Sequence, residues 1–356
     1  MRGAFDVAKY YAKEVQTAEG VQRTAGIKAR DDISVILEKA GYAPLSVEGP
    51  SDRADYNAVL KAAAHGRIAR TWSEKLHTLK KGDILIIQFP VIQHSLLQFL
   101  PVHAARRRGV RIILLIHDLD TLRGGKKENK SLPKEMRLFL EEKTLLREAD
   151  RIIVHNDRMK AAIAEIGVDQ RKMRSLGIFD YLAPDGLFAE ADRKGPVVIA
   201  GTLRRHKAAY AYHLPSGSRF RLYGVGYEGG EQPNVEYKGS FPPDELPGAI
   251  SGSFGLVWDG DTAATCGGAY GAYLRINNPH KASLYLAAGL PVLIWKEAAL
   301  APFMEQHRCG LAIGSLDEIP ALLEGLTDDA YEELLAGARR VSAKLRSGYY
   351  TRRALR

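Results

Sequence analysis

The segment 277–281 (NNPHK) combines a predicted helix start with a basic side chain. Asn278 suits the N-cap of a helix, Pro279 suits its first position, and Lys281 falls in the first turn. Free backbone N–H groups and the dipole at a helix N-terminus favour an anion, to which a lysine adds a full positive charge. With Arg205, which follows an earlier predicted strand, this segment is expected to bind a diphosphate without a metal ion. The alternative is an exposed lysine with no ligand.

A second candidate group follows an apolar strand in the amino-terminal half. His117 and Asp118 come directly after the predicted strand Arg111–Ile116 and therefore project from its carboxyl end. An imidazole beside a carboxylate can take a proton from a hydroxyl or orient a sugar, whereas the alternative is a histidine that only ends the strand. The polar residues 24–31 could form a flap over the cleft into which His117 and Asp118 are expected to project, or a plain connector.

Short β-rich runs alternate with helical patterns, which predicts parallel sheets built from βαβ units. The predicted strands are Tyr10–Val15, Ala43–Val47, Asp83–Gln88, Arg111–Ile116, Arg151–Val154, Pro196–Ala200, Phe220–Tyr223, Val235–Tyr237, Phe254–Trp258 and Pro291–Trp295. In such sheets ligands bind beyond the carboxyl ends of the strands. Glycines that follow three strands of the second half, Gly201, Gly224 and Gly260, therefore indicate a nucleotide-sized ligand there.

Length and composition set the number of domains. A chain of 356 residues exceeds what one hydrophobic core usually fills. Its 46% hydrophobic and 26% charged residues exclude a disordered, collagen-like or disulfide-scaffold protein. The irregular segment Asp180–Gly195 is predicted to be a linker, because it is rich in Asp, Gly and Pro. Two doubly wound domains of similar size are expected on either side of it.

The net charge of +9 favours polyanionic partners such as nucleic acid, an acidic lipid surface or phosphorylated substrates. Basic residues are clustered at 106–111 and 339–356. These clusters could form a solvated helix face or a membrane-facing patch near the cleft. No apolar run in the amino-terminal half approaches the ~20 residues of a membrane span. The chain is expected to be cytoplasmic, or peripheral at the inner membrane face.

No residue set predicts a metal site or a bound cofactor. Cys266 and Cys309 lack the spacing of a metal site and are expected to be reduced, packed thiols. Asp259 and Asp261 form a DxD-like pair after a strand, and the simpler interpretation is a turn with solvated carboxylates. We therefore expect activity without a metal ion or a cofactor.

Several motifs together resemble a known family. They are 116–120 (IHDLD), 254–258 (FGLVW), 277–281 (NNPHK), 285–291 (YLAAGLP) and 348–353 (GYYTRR). The combination is similar to bacterial sugar-nucleotide-dependent glycosyltransferases of the GT-B fold. Within them it most resembles the β-1,6-galactofuranosyltransferases of polysaccharide assembly and the glucosyltransferases that extend N-acetylglucosamine on serine-rich adhesins. One departure is that the pair of glutamates that marks many retaining GT-B enzymes is missing around Lys281, so their mechanism does not transfer.

The resemblance implies an α/β protein of two Rossmann-like doubly wound domains that face each other across a cleft. Residues 1–179 would bind the acceptor, 180–195 would link the domains, 196–335 would bind the nucleotide sugar, and 336–356 would form a helix that returns to the first domain. The residues implied in binding the UDP-sugar are Gly201, Thr202, Arg205, Gly224, Phe241, Asn277, Asn278, His280 and Lys281. Those implied on the acceptor side are Thr24 and Gly26, with Asp118 as the first choice of catalytic base and His117 as the second.

The implied function is transfer of a hexose, galactofuranose in preference to glucose, from UDP to a hydroxyl of a growing, lipid-linked glycan. The alternative is a non-catalytic sugar-nucleotide-binding subunit that shares the binding motifs and lacks a competent base. A dinucleotide oxidoreductase is disfavoured because the GxGxxG match at 224–229 is followed by Gly230, Gln232 and Pro233 and opens no clear helix. A nucleic-acid motor is disfavoured because no GxxxxGK[ST] occurs, so no nucleic-acid partner is expected. Whether the protein forms a homo-oligomer is left open by the sequence.

Overall fold

The computed structural model describes residues 7–16, 25–49, 58–92, 98–119, 121–123 and 142–356. In the first half, six parallel strands form one sheet in the order β2-β1-β3-β4-β5-β6. These strands are β1 (Lys9–Gln16), β2 (Ala43–Gly49), β3 (Ile84–Phe89), β4 (Arg111–Ile116), β5 (Arg151–Val154) and β6 (Met173–Ser175). The helices of this half are α1 (Ala25–Lys39), α2 (Ala58–His77), α3 (Phe99–Arg107), α4 (142–148) and α5 (Asp157–Glu165).

The second half contains another six-stranded parallel sheet, in the order β10-β9-β8-β12-β13-β14, and a separate pair β7-β11. Its strands are β7 (Glu190–Ala191), β8 (Val197–Thr202), β9 (Phe220–Val225), β10 (Val235–Tyr237), β11 (Ser251–Gly252), β12 (Gly255–Val257), β13 (Val292–Trp295) and β14 (Gly310–Ile313). Its helices are α6 (Arg205–Ala208), α7 (Leu246–Ala249), α8 (Gly268–Tyr273), α9 (His280–Ala287), α10 (Ala301–Gln306), α11 (Ile319–Gly325), α12 (Asp328–Arg346) and α13 (Tyr349–Leu355). In both sheets successive strands are added towards one edge, and the chain then returns past the first strand and adds strands towards the other edge. This is the doubly wound arrangement.

All the predicted strands are present within about two residues of their predicted ends, and the α/β class is confirmed. The structure adds β6 and β14 at the sheet edges and the two-residue strands β7 and β11. Strand β4 illustrates why the central strands can be predicted. Five of its six residues are buried, and such a run of buried apolar residues fits a parallel strand that is covered on both faces.

The final helices connect the two halves. Helix α12 packs on α9, where the Ser342 hydroxyl donates to the Ala287 carbonyl oxygen (2.8 Å). The chain then turns at Gly348, and α13 lies against the first sheet, with Arg353 donating to the Leu176 carbonyl oxygen (3.1 Å). Contacts with the first half therefore come from α13, whereas the predicted returning segment 336–356 also includes the second half of α12.

Part of the predicted linker is buried. The carboxylate of Asp180 accepts the backbone N–H groups of Tyr350 (3.1 Å) and Thr351 (2.6 Å) at the start of α13. Burial raises the pKa of this carboxyl to about 6, against the opposing effect of these hydrogen bonds. Asp180 thus fixes the last helix in addition to joining the halves.

The basic cluster at 106–111 does not lie near the cleft. Arg111 begins β4 whereas His117 follows its end, so the length of the strand, about 20 Å, separates them. At the same amino-terminal edge, Arg151 begins β5 and donates to the carbonyl oxygen of Leu355 (3.2 Å). The expectation of a basic face beside the acceptor cleft is therefore wrong for this cluster.

None of the helices in the described ranges is long and apolar enough to cross a membrane. Cys266 and Cys309 are both buried and unpaired, as expected.

Candidate functional site

The candidate site lies where the carboxyl ends of the two sheets face each other. Asp118 and Arg123, which follow β4, form an ion pair at 3.6 Å on one side of this cleft. Lys207 of α6 lies on the other side and interacts electrostatically with both of them, and with Asp259 and Lys281. Acidic and basic groups from both halves thus meet in one place.

Lys281 is not a free cation. Its Nζ donates to Oδ1 of Asp259 (2.8 Å) and to the carbonyl oxygen of Trp258 (2.8 Å). The two side chains are only 17% and 13% exposed, so Asp259 is not a solvated turn residue, contrary to the simpler interpretation. Burial by itself lowers the pKa of Lys281, but the adjacent Asp259 carboxylate outweighs it and raises that pKa above its ordinary value.

Asn278 does not cap helix α9, because Pro279 occupies the N-cap position and no side chain caps this end. The Asn278 amide is buried between the two halves. Its oxygen accepts from Nδ2 of Asn156 (2.8 Å), and its nitrogen donates to the carbonyl oxygens of His155 (2.8 Å) and Gly177 (3.0 Å). The predicted capping role is wrong, since the amide fastens the start of α9 to the first half instead.

His155 completes this buried contact. Its Nδ1 accepts the backbone N–H of Asn278 (2.9 Å), and its Nε2 lies 3.2 Å from the carbonyl oxygen of Ile116. The imidazole is therefore neutral with the proton on Nε2. Burial lowers the pKa of His155 to about 4, which keeps it neutral near pH 7.

Two polar atoms at the start of α9 are buried without a hydrogen-bond partner among the described residues. They are Oδ1 of Asn277 and Nε2 of His280. Burial, with a smaller contribution from Lys28, lowers the pKa of His280 to about 3, so its imidazole is neutral. Because buried polar groups are usually paired, these two atoms indicate a place where a ligand completes the site.

Lys207 is a basic residue of the cleft that the sequence does not single out. Within the described part of the chain, its ammonium makes neither a hydrogen bond nor an ion pair. Burial lowers its pKa, partly offset by the carboxylate of Asp259. The signal that could identify it is its spacing, two residues after Arg205, in the turn that follows β8.

The carboxyl ends of β8 and β9 approach each other very closely. Gly201 pairs with Gly224, and a Cβ on Gly224 would lie 1.7 Å from the carbonyl oxygen of Gly201. Both glycines also have positive φ angles, of 133° and 142°. Thr202 ends β8 and is half-buried. Larger residues are therefore excluded at this predicted nucleotide site.

Aromatic rings cover the adjacent surface. The exposed guanidinium of Arg205 lies over the ring of Tyr212, 4.1 Å from its centroid. The rings of Tyr212 and Tyr227 stack at 5.1 Å, and Tyr227 lies 5.3 Å from Tyr237. Phe241, also exposed, lies 5.8 Å from Tyr223 across the end of β9. Tyr212 and Tyr223 are buried, whereas Tyr237 and Phe241 are exposed, so the faces of these last two rings could stack on a nucleobase.

On the acceptor side, His117 and Asp118 differ in their surroundings. Nε2 of His117 lies 2.7 Å from Oε1 of Gln88, and its ring stacks on Phe179 at 5.5 Å. Burial, and secondarily the charge of Arg30, lowers the pKa of His117 well below its ordinary value. Asp118 is 39% exposed and open to the cleft, which makes it the better placed of the two to take a proton.

Residues 25–31 form neither a flap nor a plain connector. These residues form the first two turns of α1, and Gly26 is exposed on that helix. Thr24 lies outside the described residues. Among those that are described, no three His, Cys, Asp or Glu side chains group as a metal site requires.

Comparisons with known proteins agree over both halves. Residues 9–178 match the model of the glucosyltransferase 3-like N-terminal domain, and residues 197–356 match that of the C-terminal domain. The β-1,6-galactofuranosyltransferase WbbI of Escherichia coli K12 is 36% identical over 354 residues, covering 94% of each chain. Glucosyltransferase 3 of Streptococcus gordonii is 25% identical, covering 94% of this chain and 93% of its own.

A solved structure agrees at the level of the fold. HepE from Anabaena, in complex with UDP and glucose, superposes with a TM-score of 0.54 at 14% identity, covering 97% of this chain and 96% of that one. This likeness shows that the two facing sheets form the GT-B fold. Because family models match both halves and a relative at 36% identity spans nearly the whole chain, the protein belongs to the glucosyltransferase 3-like family of glycosyltransferases.

Proposed function

We propose that the protein transfers a hexose from a UDP-sugar to a hydroxyl of a growing glycan, with galactofuranose preferred to glucose. The observation that carries this proposal is the meeting of Asp118 with the Lys281–Asp259 pair and with the ammonium of Lys207, which has no partner among the described residues, across one cleft. The preference for galactofuranose rests on the greater identity to the galactofuranosyltransferase than to glucosyltransferase 3.

The second half supplies the donor site in this proposal. Lys207 and Arg205 bind the diphosphate, and the Asn277 and His280 atoms at the start of α9 that have no partner among the described residues complete its surroundings. Lys281 neutralises the Asp259 carboxylate beside this site. These fixed charges stabilise the negative charge that develops on the leaving UDP, a role that metal ions have in other enzymes. The aromatic rings beyond β9 receive the uracil.

The first half supplies the base and the acceptor. The carboxylate of Asp118 accepts the proton of the acceptor hydroxyl as that oxygen attacks the anomeric carbon and the bond to UDP breaks. His117 is the second choice, because its Nε2 is already engaged by Gln88. Neutral and half-buried, His117 instead presents an edge that can hydrogen-bond a sugar hydroxyl.

The acceptor is lipid-linked in this proposal, and the protein works in the cytoplasm at an anionic membrane face. The support is the basic amino-terminal edge of the first sheet, where Lys9, Arg111 and Arg151 begin three strands and Arg107 and Arg356 are near. Anionic lipids attract each nearby Lys or Arg by about 1 kcal/mol. Such an edge would hold the protein at the membrane, and the glycan of a lipid-linked acceptor would reach the cleft by extending past the first sheet, about 20 Å.

Transfer assays with UDP-galactofuranose and UDP-glucose test the proposed function. We expect product with the native protein and a loss of at least 100-fold in kcat for Asp118→Asn, as is usual for a missing general base. UDP affinity should be nearly the same in this variant. If the native protein binds UDP but neither transfers nor hydrolyses either donor, it is a non-catalytic sugar-nucleotide-binding subunit.

A further inference from the structure

Tyr273 belongs to the second half of the chain but is buried in the core of the first. It is the last residue of α8, and its side chain is 4% exposed. The hydrophobic cluster that contains it otherwise consists of residues from the first sheet and its helices, such as Ile116, Leu119 and Val154. The ring of Tyr273 therefore crosses the boundary between the halves.

The hydroxyl of Tyr273 ends at the candidate base. It accepts the backbone N–H of Leu119 (3.3 Å), the residue after Asp118, and lies beside the Asp118 carboxylate. Burial, and then the charge of Asp118, raises the pKa of Tyr273 well above its ordinary value, so the hydroxyl keeps its proton and is a hydrogen-bond donor beside that carboxylate. One residue of the second half thus holds both Asp118 and the backbone that follows it.

The other groups around Asp118 hold it less directly. Arg123 pairs with it at 3.6 Å, and the guanidinium of Arg123 itself lies over the ring of Tyr270, 5.6 Å from the centroid. Lys207 and Arg30 interact with Asp118 only through their charge. Among these groups, the Tyr273 hydroxyl is therefore the donor that can select one orientation of the carboxylate.

We propose that Tyr273 is a positioning residue that orients the Asp118 carboxylate for proton transfer and does so only when the two halves are in contact. The inference rests on the proposed function, in which Asp118 is the base. It means that the base acquires its working orientation from the half of the protein that binds the donor. Removal of an acceptor proton is thereby coupled to closure of the cleft.

Tyr273→Phe tests this proposal because it removes the hydroxyl and keeps the buried ring. We expect kcat to fall about tenfold, which corresponds to one hydrogen bond to a charged group. UDP affinity and the donor KM should stay within twofold. The pH profile of kcat/KM should also differ from the native one, because the hydroxyl no longer lies beside the carboxylate of Asp118.

Tyr350→Phe is the matched control. Tyr350 is also buried, but its hydroxyl has no hydrogen-bond partner among the described residues. This variant should keep the native kcat and the native pH profile. A merely structural effect of losing a buried hydroxyl would appear in both variants, and their melting temperatures would report it.

The double variant Asp118→Asn/Tyr273→Phe distinguishes the role of Asp118 as the base from the role of Tyr273 in positioning it. If Tyr273 acts through Asp118, the double variant should be no slower than Asp118→Asn alone. A native kcat and pH profile for Tyr273→Phe, or losses that multiply in the double variant, would overturn the positioning role and leave Asp118 as the base. Full activity of Asp118→Asn would instead overturn the choice of base, and the role of Tyr273 with it.

Discussion

The ammonium of Lys281 lies 2.8 Å from the carboxylate of Asp259, so the positive charge nearest the start of α9 is already paired within its own half. The pair is largely buried, and each partner therefore compensates the other's desolvation. Changing Lys281 alone therefore removes a positive charge and also leaves the Asp259 carboxylate unpaired. Both residues must be changed together to separate these two effects on anion binding.

Replacing Lys281 by Ala should reduce stability as well as binding. The carboxylate of Asp259 would be left buried without its partner, which costs about 3 kcal/mol of unfolding free energy. UDP should bind more weakly, whereas uridine should bind almost unchanged. Denaturant unfolding and calorimetry measure the two effects. The double variant Lys281→Met/Asp259→Leu should regain stability without regaining UDP affinity, and recovery of both would show that Lys281 only supports the fold.

Replacing Lys207 by Ala should weaken UDP binding by about 1.5–3 kcal/mol, the range for hydrogen bonds to charged groups. Its ammonium has no protein partner to lose among the described residues, so the melting temperature should hardly change. Uridine affinity should be unaffected, because it lacks the diphosphate. Lys39→Ala, at an exposed position on α1, is the control. Equal losses for UDP and uridine would contradict a diphosphate contact.

Acid should weaken the contact between the halves through His155. The pKa of this imidazole is about 4 in the folded protein and near 6.5 when unfolded, so the unfolded chain binds more protons between these values. Its contribution is complete above pH 6.5 and is lost as the pH falls towards 4, by about 1.4 kcal/mol per pH unit. Unfolding curves of native protein and His155→Gln should therefore converge at low pH, whereas His213→Gln should run parallel to the native curve.

Transfer should continue in EDTA. The Asp259 carboxylate is occupied by Lys281, and the described residues offer no cluster of metal ligands. Initial rates with and without the chelator, and after added Mg²⁺ or Mn²⁺, measure this. A complete loss that either ion reverses would assign Asp259 and Asp261 to a metal and would contradict the proposed donor site.

Binding to anionic vesicles should depend on the amino-terminal edge of the first sheet. Changing Arg107 and Arg111 to Gln should reduce pelleting with phosphatidylglycerol vesicles and leave UDP affinity intact. Changing Lys194 and Lys296 to Gln removes the same charge elsewhere and should have little effect. Binding should also fall steeply with salt, since charges are screened within ~8 Å at physiological ionic strength. A native protein that ignores anionic vesicles at low salt would argue for a soluble acceptor.

The sheets could be predicted from sequence because central parallel strands are continuous apolar runs, of which β4 is one example. The positions of His117, Asp118 and Lys281 near the cleft follow from the same strand pattern. The partners of these residues could not be predicted. The bond from Lys281 to Asp259 depends on how α9 packs beside the end of β12 within the second half. The placement of Asn278 against His155, 123 residues away in sequence, depends on how the two halves pack together.

The burial of Tyr273 in the opposite half limits how the two halves can be exchanged between relatives. A chimaera that takes its carboxyl-terminal half from another enzyme, in order to change the donor sugar, would also import whatever residue stands at position 273. A smaller side chain there would leave a hole in the core of the first half, and would remove the hydroxyl that accepts the backbone N–H of Leu119. Recombination for new donor specificity should therefore keep residue 273 matched to the acceptor half and not to the nucleotide half.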